Sequence, residues 1–417
     1  MENVGGLSME IGIDATAWQN KRGYGRHARA LFGALIDLDR ENHYTLFLDT
    51  REGWDALPAR AARQLVLTEK ATAVAAAADG HRSLRDMARV SWAISRAGCD
   101  LLIFPTVYSY VPVVSRARKI VLIHDVIAET FPELTLPSPL ARRFWQLKVA
   151  LGRRQADAIV TVSEYSRQGI ARHFGLPADQ IHVVGEAGDP IFRRLDAPEW
   201  PPALRRLGLS AANRSVIYVG GFGPHKNLAM LVDTFARLVT GPRAAELADA
   251  RLVLVGEYRQ EVFHSSAGSL QQQIQALGIT DRVIFTGYLP DADLVQLLNL
   301  GTVLVLPSLM EGFGLPAVEA AACGCPVIAT TESPLPGLLG SGGLYVNPRQ
   351  PQALEAALAR VLSDAGLRQE MGAAGRAAAQ ALTWPAAARQ LLAVIEAVGP
   401  GTGRPARAAT ARPGASR

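Results

Sequence analysis

Leu306–Thr330 reads LPSLMEGFGLPAVEAAACGCPVIAT, which is strand end, glycine-containing loop, helix, tight turn and strand. Pro307 and Ser308 close one apolar run, and Gly312 and Gly314 permit a loop that approaches another body closely. Pro316 suits the first helical position and Gly324 the helix stop, so the loop opens straight into a helix N-terminus. Backbone N–H groups without helical partners and a positive dipole end then face whatever lies in front of that loop. Such a place suits a phosphate or a similar anion. Two carboxylates flank it, Glu311 in the loop and Glu319 in the first turns of the helix. Either alone reads as a solvated loop charge or a complement to the helix dipole; the pair with its Gly-Phe-Gly-Leu-Pro spacer asks for more.

Working outward, the second half begins with a strand, Val216–Val219, that runs into Gly220-Gly221-Phe222-Gly223, after which Lys226-Asn227 begins a helix. This is another strand–glycine loop–helix anion site, with a lysine at its mouth. No glycine precedes the lysine at the Walker spacing, and the third glycine of the dinucleotide fingerprint is missing. Arg251–Glu257 and Arg282–Pro290 are further strands, and Tyr288 reads as a strand-end aromatic. In the first half, Glu10–Ala15 is a strand, and Gly23-Tyr24-Gly25 form a loop before an amphipathic helix. Strands follow at 44–48, 64–67 and 100–104. A five-residue strand from Lys119 ends in His124-Asp125, with Phe131-Pro132-Glu133 in the loop beyond. The carboxyl end of a parallel strand is where open α/β sheets meet ligands; a corner in which Asp125 satisfies His124 is the plainer alternative.

The composition agrees with an α/β globular chain. A length of 417 residues predicts two domains plus a tail, and 49% of the residues are hydrophobic. Lys and Arg total 43 against 38 Asp and Glu, a net charge of +5 that is scattered and does not call for nucleic acid. The three cysteines form no disulfide framework or metal-ligand spacing, and fit a reducing cytosol. The N-terminus lacks the basic start and apolar core of a signal peptide, and no run approaches a spanning helix. The helix Ser138–Arg154 mixes Arg142, Arg143, Lys148, Arg153 and Arg154 with Phe144, Trp145 and Leu147. It reads as a solvated face or as one suited to an anionic membrane surface. Pro190 and the proline-rich 197–202 mark a linker, and from Gly399 the chain is rich in Gly, Pro, Ala and Arg.

The segment Glu311–Glu319 closely resembles the sugar-nucleotide motif of retaining glycosyltransferases of family 4. The resemblance extends over almost the whole chain and is strongest over 214–348. It implies the GT-B fold: two Rossmann-like domains whose parallel sheets face each other across a cleft. The implied limits are 1–196 for the acceptor-side domain and 197–383 for the nucleotide-sugar domain. A helix at 384–398 would return towards the first domain, and 399–417 would form a disordered basic tail.

By the same resemblance Glu311 and His124 meet the donor hexose as catalytic residues. Glu319 holds the ribose hydroxyls, and Lys226 with Gly221 takes the diphosphate. Gly23 and Gly25 close over the phosphates, Tyr288 runs by the base, and Gly312, Phe313, Gly314 and Leu315 complete the donor loop. Many members carry an arginine in the phosphate loop, where this chain has Gly221 and His225, so His225 would supply that charge only when protonated. The usual Asn-Gly after the strand is Glu186-Ala187-Gly188, and the usual Glu after Leu-Pro is Gly337.

The function implied is metal-independent, retaining transfer of a hexose from a nucleotide sugar, with no cofactor. The closest pattern is GDP-mannose in surface polysaccharide or lipopolysaccharide assembly, with a UDP-sugar as the alternative donor. The acceptor would be a glycan or a polyprenyl-linked sugar. The location implied is the cytoplasm, with peripheral contact at the inner face of the plasma membrane. A sugar-nucleotide epimerase and an inactive partner subunit are the readings from other classes; the intact two-glutamate loop argues against the first, and the presence of Glu311, Glu319 and Lys226 against the second.

Overall fold

The computed structural model describes residues 8–20, 23–52, 54–69, 83–136, 138–258 and 266–399. The chain divides into two units. The first takes the residues up to Val126, Ser138–Glu186 and the stretch from Trp384; the second takes Ile127–Pro137 and Ala187–Thr383. The division thus falls ten residues before the 196/197 limit read from the linker prolines, and gives 127–137 to the second unit. Apart from Gly399, the tail expected to be disordered lies outside the described residues.

The first unit holds a seven-stranded parallel sheet: β1 (Glu10–Asp14), β2 (His43–Leu48), β3 (Ala62–Leu65), β4 (Leu101–Phe104), β5 (Arg118–Leu122), β6 (Ala158–Thr161) and β7 (Ile181–Val183). Their order is β3-β2-β1-β4-β5-β6-β7. Strands such as Leu101–Phe104 and Ala158–Thr161 are buried along their whole length, because helices cover both faces of the sheet. The core under one face gathers Phe47, Leu102, Phe104, Tyr110, Val121 and Ile170. The helix Gly23–Leu38 packs along the helix Trp384–Val398, burying Leu31, Phe32 and Leu35 on one side and Ala388, Leu391 and Ile395 on the other.

The second unit holds six parallel strands: β8 (Arg214–Val219), β9 (Ala250–Val255), β10 (Val283–Gly287), β11 (Val303–Leu306), β12 (Val327–Thr330) and β13 (Gly343–Val346). The order is β10-β9-β8-β11-β12-β13. Both sheets therefore reverse direction once, between β1 and β4 and between β8 and β11. The loops leaving the carboxyl ends of such a strand pair border the crevice where doubly wound sheets bind ligands.

Some elements differ from the sequence reading. Strand β3 lies two residues earlier than 64–67, since Ala62–Leu65 is the stretch that registers with Thr45–Leu48. Gly23, Tyr24 and Gly25 form the first turn of their helix rather than a loop ahead of it. A Cβ on Gly25 would stand 1.9 Å from the Asn20 carbonyl oxygen, so only glycine lets the helix start pass there; around Gly23 the space is open. Arg29 clasps the carbonyls of Trp18 and Asn20, and Asn20 Nδ2 donates to the Tyr24 hydroxyl. Phe131-Pro132-Glu133 is likewise no loop: Phe131 caps a short helix, Pro132–Thr135, whose first residue is the proline that best tolerates that position.

Candidate functional site

The loops after β8 and β11 bring together the residues that the two anion motifs supply. After β8 the chain passes Gly220, where φ is 153° and a Cβ would meet the Tyr218 hydroxyl at 2.7 Å. Phe222 then turns fully inward among Tyr218, Tyr258 and Phe285, anchoring the loop, while Gly221 is exposed. Pro224–Lys226 makes a single 3-10 turn, and the helix starts only at Leu228. Between them stands Asn227 with φ 58°, the one non-glycine residue of positive φ among those described. Its side-chain amide donates to the carbonyls of Pro307 and Pro348 at 3.0 and 2.9 Å, and those bonds hold a conformation that few side chains accept. Lys226 is thereby raised at the end of the turn instead of opening the helix.

After β11 the chain reaches Glu311. Lys226 Nζ donates to Glu311 Oε1 at 2.8 Å, and Ser308 Oγ donates to the same oxygen at 2.6 Å. Burial pushes the Glu311 carboxyl up, but Lys226 and Ser308 outweigh it and hold the group below the usual carboxylate range. Both donors use one oxygen, so Oε2 is left for a further donor. Lys226 in turn spends one of three ammonium hydrogens on this bond. His225, next to it, is kept neutral: burial and then Lys226 bring its pKa down to about 4, so it brings no positive charge to the loop at neutral pH.

Gly314 sets the helix beyond. Its φ is 87°, and a Cβ would press on Leu335 Cδ1 at 2.8 Å. The helix is Leu315–Ala322, which makes Pro316 its second residue rather than its first. It closes with a Schellman pair: Gly324 N–H donates to Ala321 O and Cys325 N–H to Ala320 O, with Gly324 at φ 78°. Gly312 leads into this start, Phe313 is packed inward, and the helix turns fully inward from Ala317 after the half-buried Leu315 and Pro316. Glu319 lies in the second turn, only 2% exposed, and Gly188 stands against it, its built Cβ position 3.4 Å from Glu319 Cγ. Gly188 thus lies against the stem and backbone of Glu319. Tyr288 follows the edge strand β10 and is 60% exposed, separated from β8 by β9, so the structure does not bring it to Lys226.

His124 lies in the first unit, directly beyond β5 and partly exposed. Its Nε2 stands 3.3 Å from His27 Nδ1, and His27 Nε2 stands 3.7 Å from Glu186 Oε1. Gly23 and Gly25 belong to the helix that carries His27. Sequence reading passed over His27 and treated Glu186 only as a departure from Asn. The signal was present, since a glutamate replaces a neutral amide there, but its partner is far away in the chain.

Of the five basic residues on the helix Pro139–Gln155, Lys148 donates to the Tyr108 carbonyl and Arg153 lies 4.1 Å over the Phe174 ring. They serve the unit's own packing. Arg142 is half-buried; Arg143 and Arg154 are exposed, beside a stripe of exposed Leu140, Phe144 and Leu147. Among the described residues no helix is long and apolar enough to cross a membrane. Cys323 and Cys325 are buried free thiols, and burial pushes Cys325 up to about 12.

Residues 204–378 match the family model of glycosyl transferases group 1, and residues 22–189 match that of glycosyltransferase family 4. The chain is 30% identical over 269 residues to the O-antigen chain mannosyltransferase B of Escherichia coli, covering 64% of this chain and 67% of that protein. Against other curated mannosyltransferases the aligned part spans less than two thirds of their length. Among solved structures, sucrose-phosphate synthase from Thermosynechococcus elongatus matches with a TM-score of 0.71 at 21% identity, over 93% of this chain and 98% of that one. HepE of Anabaena, solved in complex with UDP-glucose, matches with a TM-score of 0.68 at 20% identity, over 93% and 100%.

Proposed function

The chain has the GT-B fold and belongs to glycosyltransferase family 4, and from that premise we propose that it moves a hexose from a nucleotide sugar to a glycan or polyprenyl-linked acceptor, with retention at the anomeric carbon. The observation that carries this reading is the pairing of Lys226 with Glu311 across the two strands at the sheet's reversal. The departing diphosphate gains negative charge as the glycosidic bond breaks. Lys226 and the N-terminus of Leu315–Ala322 stabilise that charge, in place before the reaction starts, and the step asks for no metal. Glu311 offers Oε2 to the sugar while Lys226 and Ser308 fix its other oxygen. Glu319 takes the ribose hydroxyls, Tyr288 runs by the base, and His124 meets the sugar.

GDP-mannose is the donor this reading favours, supported by the curated mannosyltransferases among its relatives. A UDP-sugar is the second reading, favoured by the UDP-glucose bound to HepE. The place of action is the cytoplasmic side of a membrane, touched through Arg143, Arg154 and the apolar stripe between them. A thermal-shift panel of GDP, UDP, ADP and their common sugars tests the donor through ligand linkage. Stabilisation by GDP and GDP-mannose alone is expected. Stabilisation by UDP compounds alone would replace mannose, and none at all would count against an active transferase.

A further inference from the structure

His27, His124 and Glu186 come from a helix, from the loop after β5 and from the loop after β7, and stand in series within the first unit. His27 is 1% exposed, with the Trp384 ring 5.8 Å away and the His124 ring at 4.8 Å in a T-shaped contact. Its Nδ1 faces His124 Nε2 at 3.3 Å; its Nε2 is buried without a hydrogen-bond partner and faces Glu186 Oε1 at 3.7 Å. The three donor atoms lie within 4.8 Å of one another, a spacing that invites a cation. The geometry is against it, because the two neighbours address opposite nitrogens of His27. An ion held at about 2.0–2.2 Å needs all its ligand atoms to converge on one point. One hydrogen bond between the two rings, backed by a longer electrostatic contact from His27 Nε2 to Glu186, fits the series better.

Burial keeps both rings neutral, His124 with a pKa of about 4 and His27 well below the ordinary value. Each ring therefore carries one N–H and one lone pair, and only one hydrogen lies between them. If His27 donated it from Nδ1, its bare Nε2 lone pair would face the Glu186 carboxylate in a buried place. The opposite assignment removes that repulsion: His27 keeps its hydrogen on Nε2, towards Glu186, and accepts on Nδ1 from His124 Nε2–H. His124 Nδ1 then carries a lone pair, and it is not among the buried atoms without partners.

We infer that Glu186 and His27 are positioning residues that hold His124 in its Nε2–H tautomer, so that His124 meets a sugar hydroxyl as an acceptor through Nδ1. The inference rests on the reading of His124 as a sugar contact, and it adds a direction to that contact: the hydroxyl donates.

The test is long-range 1H–15N correlation on the full chain labelled at histidine, with His124→Gln and His27→Gln used to assign the two rings. The expected spectrum has a protonated-type Nε2 and a bare-type Nδ1 on His124, both before and after a saturating addition of GDP. GDP-mannose, with UDP-glucose as the second probe, should move the bare His124 Nδ1 signal where the nucleotide alone does not. In Glu186→Gln, whose amide can donate to His27 Nε2, the two tautomers should mix, and turnover with the donor that binds should fall about tenfold, the size of one ordinary hydrogen bond. A protonated Nδ1 on wild-type His124 would overturn the inference outright. A correct tautomer with unchanged turnover in Glu186→Gln, while His124→Gln is slow, would also overturn it. If His124→Gln itself turns over normally, the reading of His124 as a sugar contact fails instead, whatever the tautomer.

Discussion

Lys226 and Glu311 stand 85 residues apart in the chain and 2.8 Å apart in space, joined through a carboxylate oxygen that also accepts from Ser308. Without donor, the half-buried ammonium satisfies the buried carboxylate. With donor, Lys226 still has two ammonium hydrogens to offer, so a diphosphate can be added to the pair without breaking it.

Lys226→Met should therefore act twice. It removes the cation proposed to meet the diphosphate, and it leaves a buried carboxylate short of a donor, at about 1–3 kcal/mol of folding stability. Glu311→Gln in the Lys226→Met background should return most of that stability and none of the nucleotide affinity. Urea unfolding of the four proteins checks the cycle; purely additive effects would mean that the pair is not coupled.

The two glutamates should separate in binding and turnover. Glu319→Ala removes the charged acceptor proposed for the ribose and should weaken nucleoside diphosphate binding by about 1.5–3 kcal/mol. Glu311→Gln should leave that affinity nearly unchanged and depress turnover. Calorimetry with GDP and UDP, beside initial rates, reads both; equal turnover in Glu311→Gln and wild type would remove Glu311 from the sugar site.

Stability should fall on acidification below neutrality. His124 and His225 fold with pKa values of about 4 against an ordinary 6.5, so the unfolded chain takes up protons that the folded chain refuses as pH drops through that interval. The depressed Glu311 carboxyl stabilises above its ordinary 4.5 and loses that contribution as pH falls through its folded value. Melting temperature followed from neutrality to about pH 4 should decline throughout. Affinity for a nucleotide sugar, whose diphosphate is esterified at both ends and takes up no proton in this range, should stay level down to pH 6.5, since His225 remains neutral there.

Three glycines should respond differently to alanine. Gly23→Ala adds a methyl where nothing lies within 4 Å, and should be neutral or stabilise by about 0.4–1 kcal/mol. Gly25→Ala drives a methyl against the Asn20 carbonyl at 1.9 Å, and Gly314→Ala forces both a left-handed backbone and a contact with Leu335, so each should destabilise by more than that. Thermal unfolding of the three variants distinguishes them.

Membrane contact, if made through the exposed stripe, should depend on Arg143 and Arg154 and much less on Lys148 or Arg153, whose side chains are engaged within the unit. Charge reversal at Arg143 and Arg154 should release the protein from anionic liposomes at low salt, and neutral liposomes should not retain the wild type. Retention of the reversed variant would remove this face from consideration.

The two anion loops and the pairing of Lys226 with Glu311 were legible in the sequence because their information is local. Gly-Phe-Gly-Leu-Pro between two glutamates, and a lysine after a glycine loop, each sit within one strand–loop–helix unit whose short apolar runs name the strands. The mistakes there concern where helices begin. Asn227 delays one start through bonds to Pro307 and Pro348, 80 and 121 residues away, and nothing near Lys226 announces them. The Glu186–His27–His124 series was illegible for the same reason, its two histidines standing 97 positions apart in the chain. Nor could composition tell that Lys148 and Arg153 turn inward while Arg143 and Arg154 do not.

The pairing of the helix Gly23–Leu38 with the helix Trp384–Val398 also sets a timetable for synthesis. The first of these helices leaves the ribosome with part of its apolar face bare, and the residues that cover it are the last of the described chain to appear. At about 5–20 residues per second the wait is on the order of half a minute. The second unit, apart from the short segment Ile127–Pro137, is made from one later run of chain that ends at Thr383, so all its residues have been translated before the first can close. The nascent protein must therefore carry an unfinished first half through the making of its second.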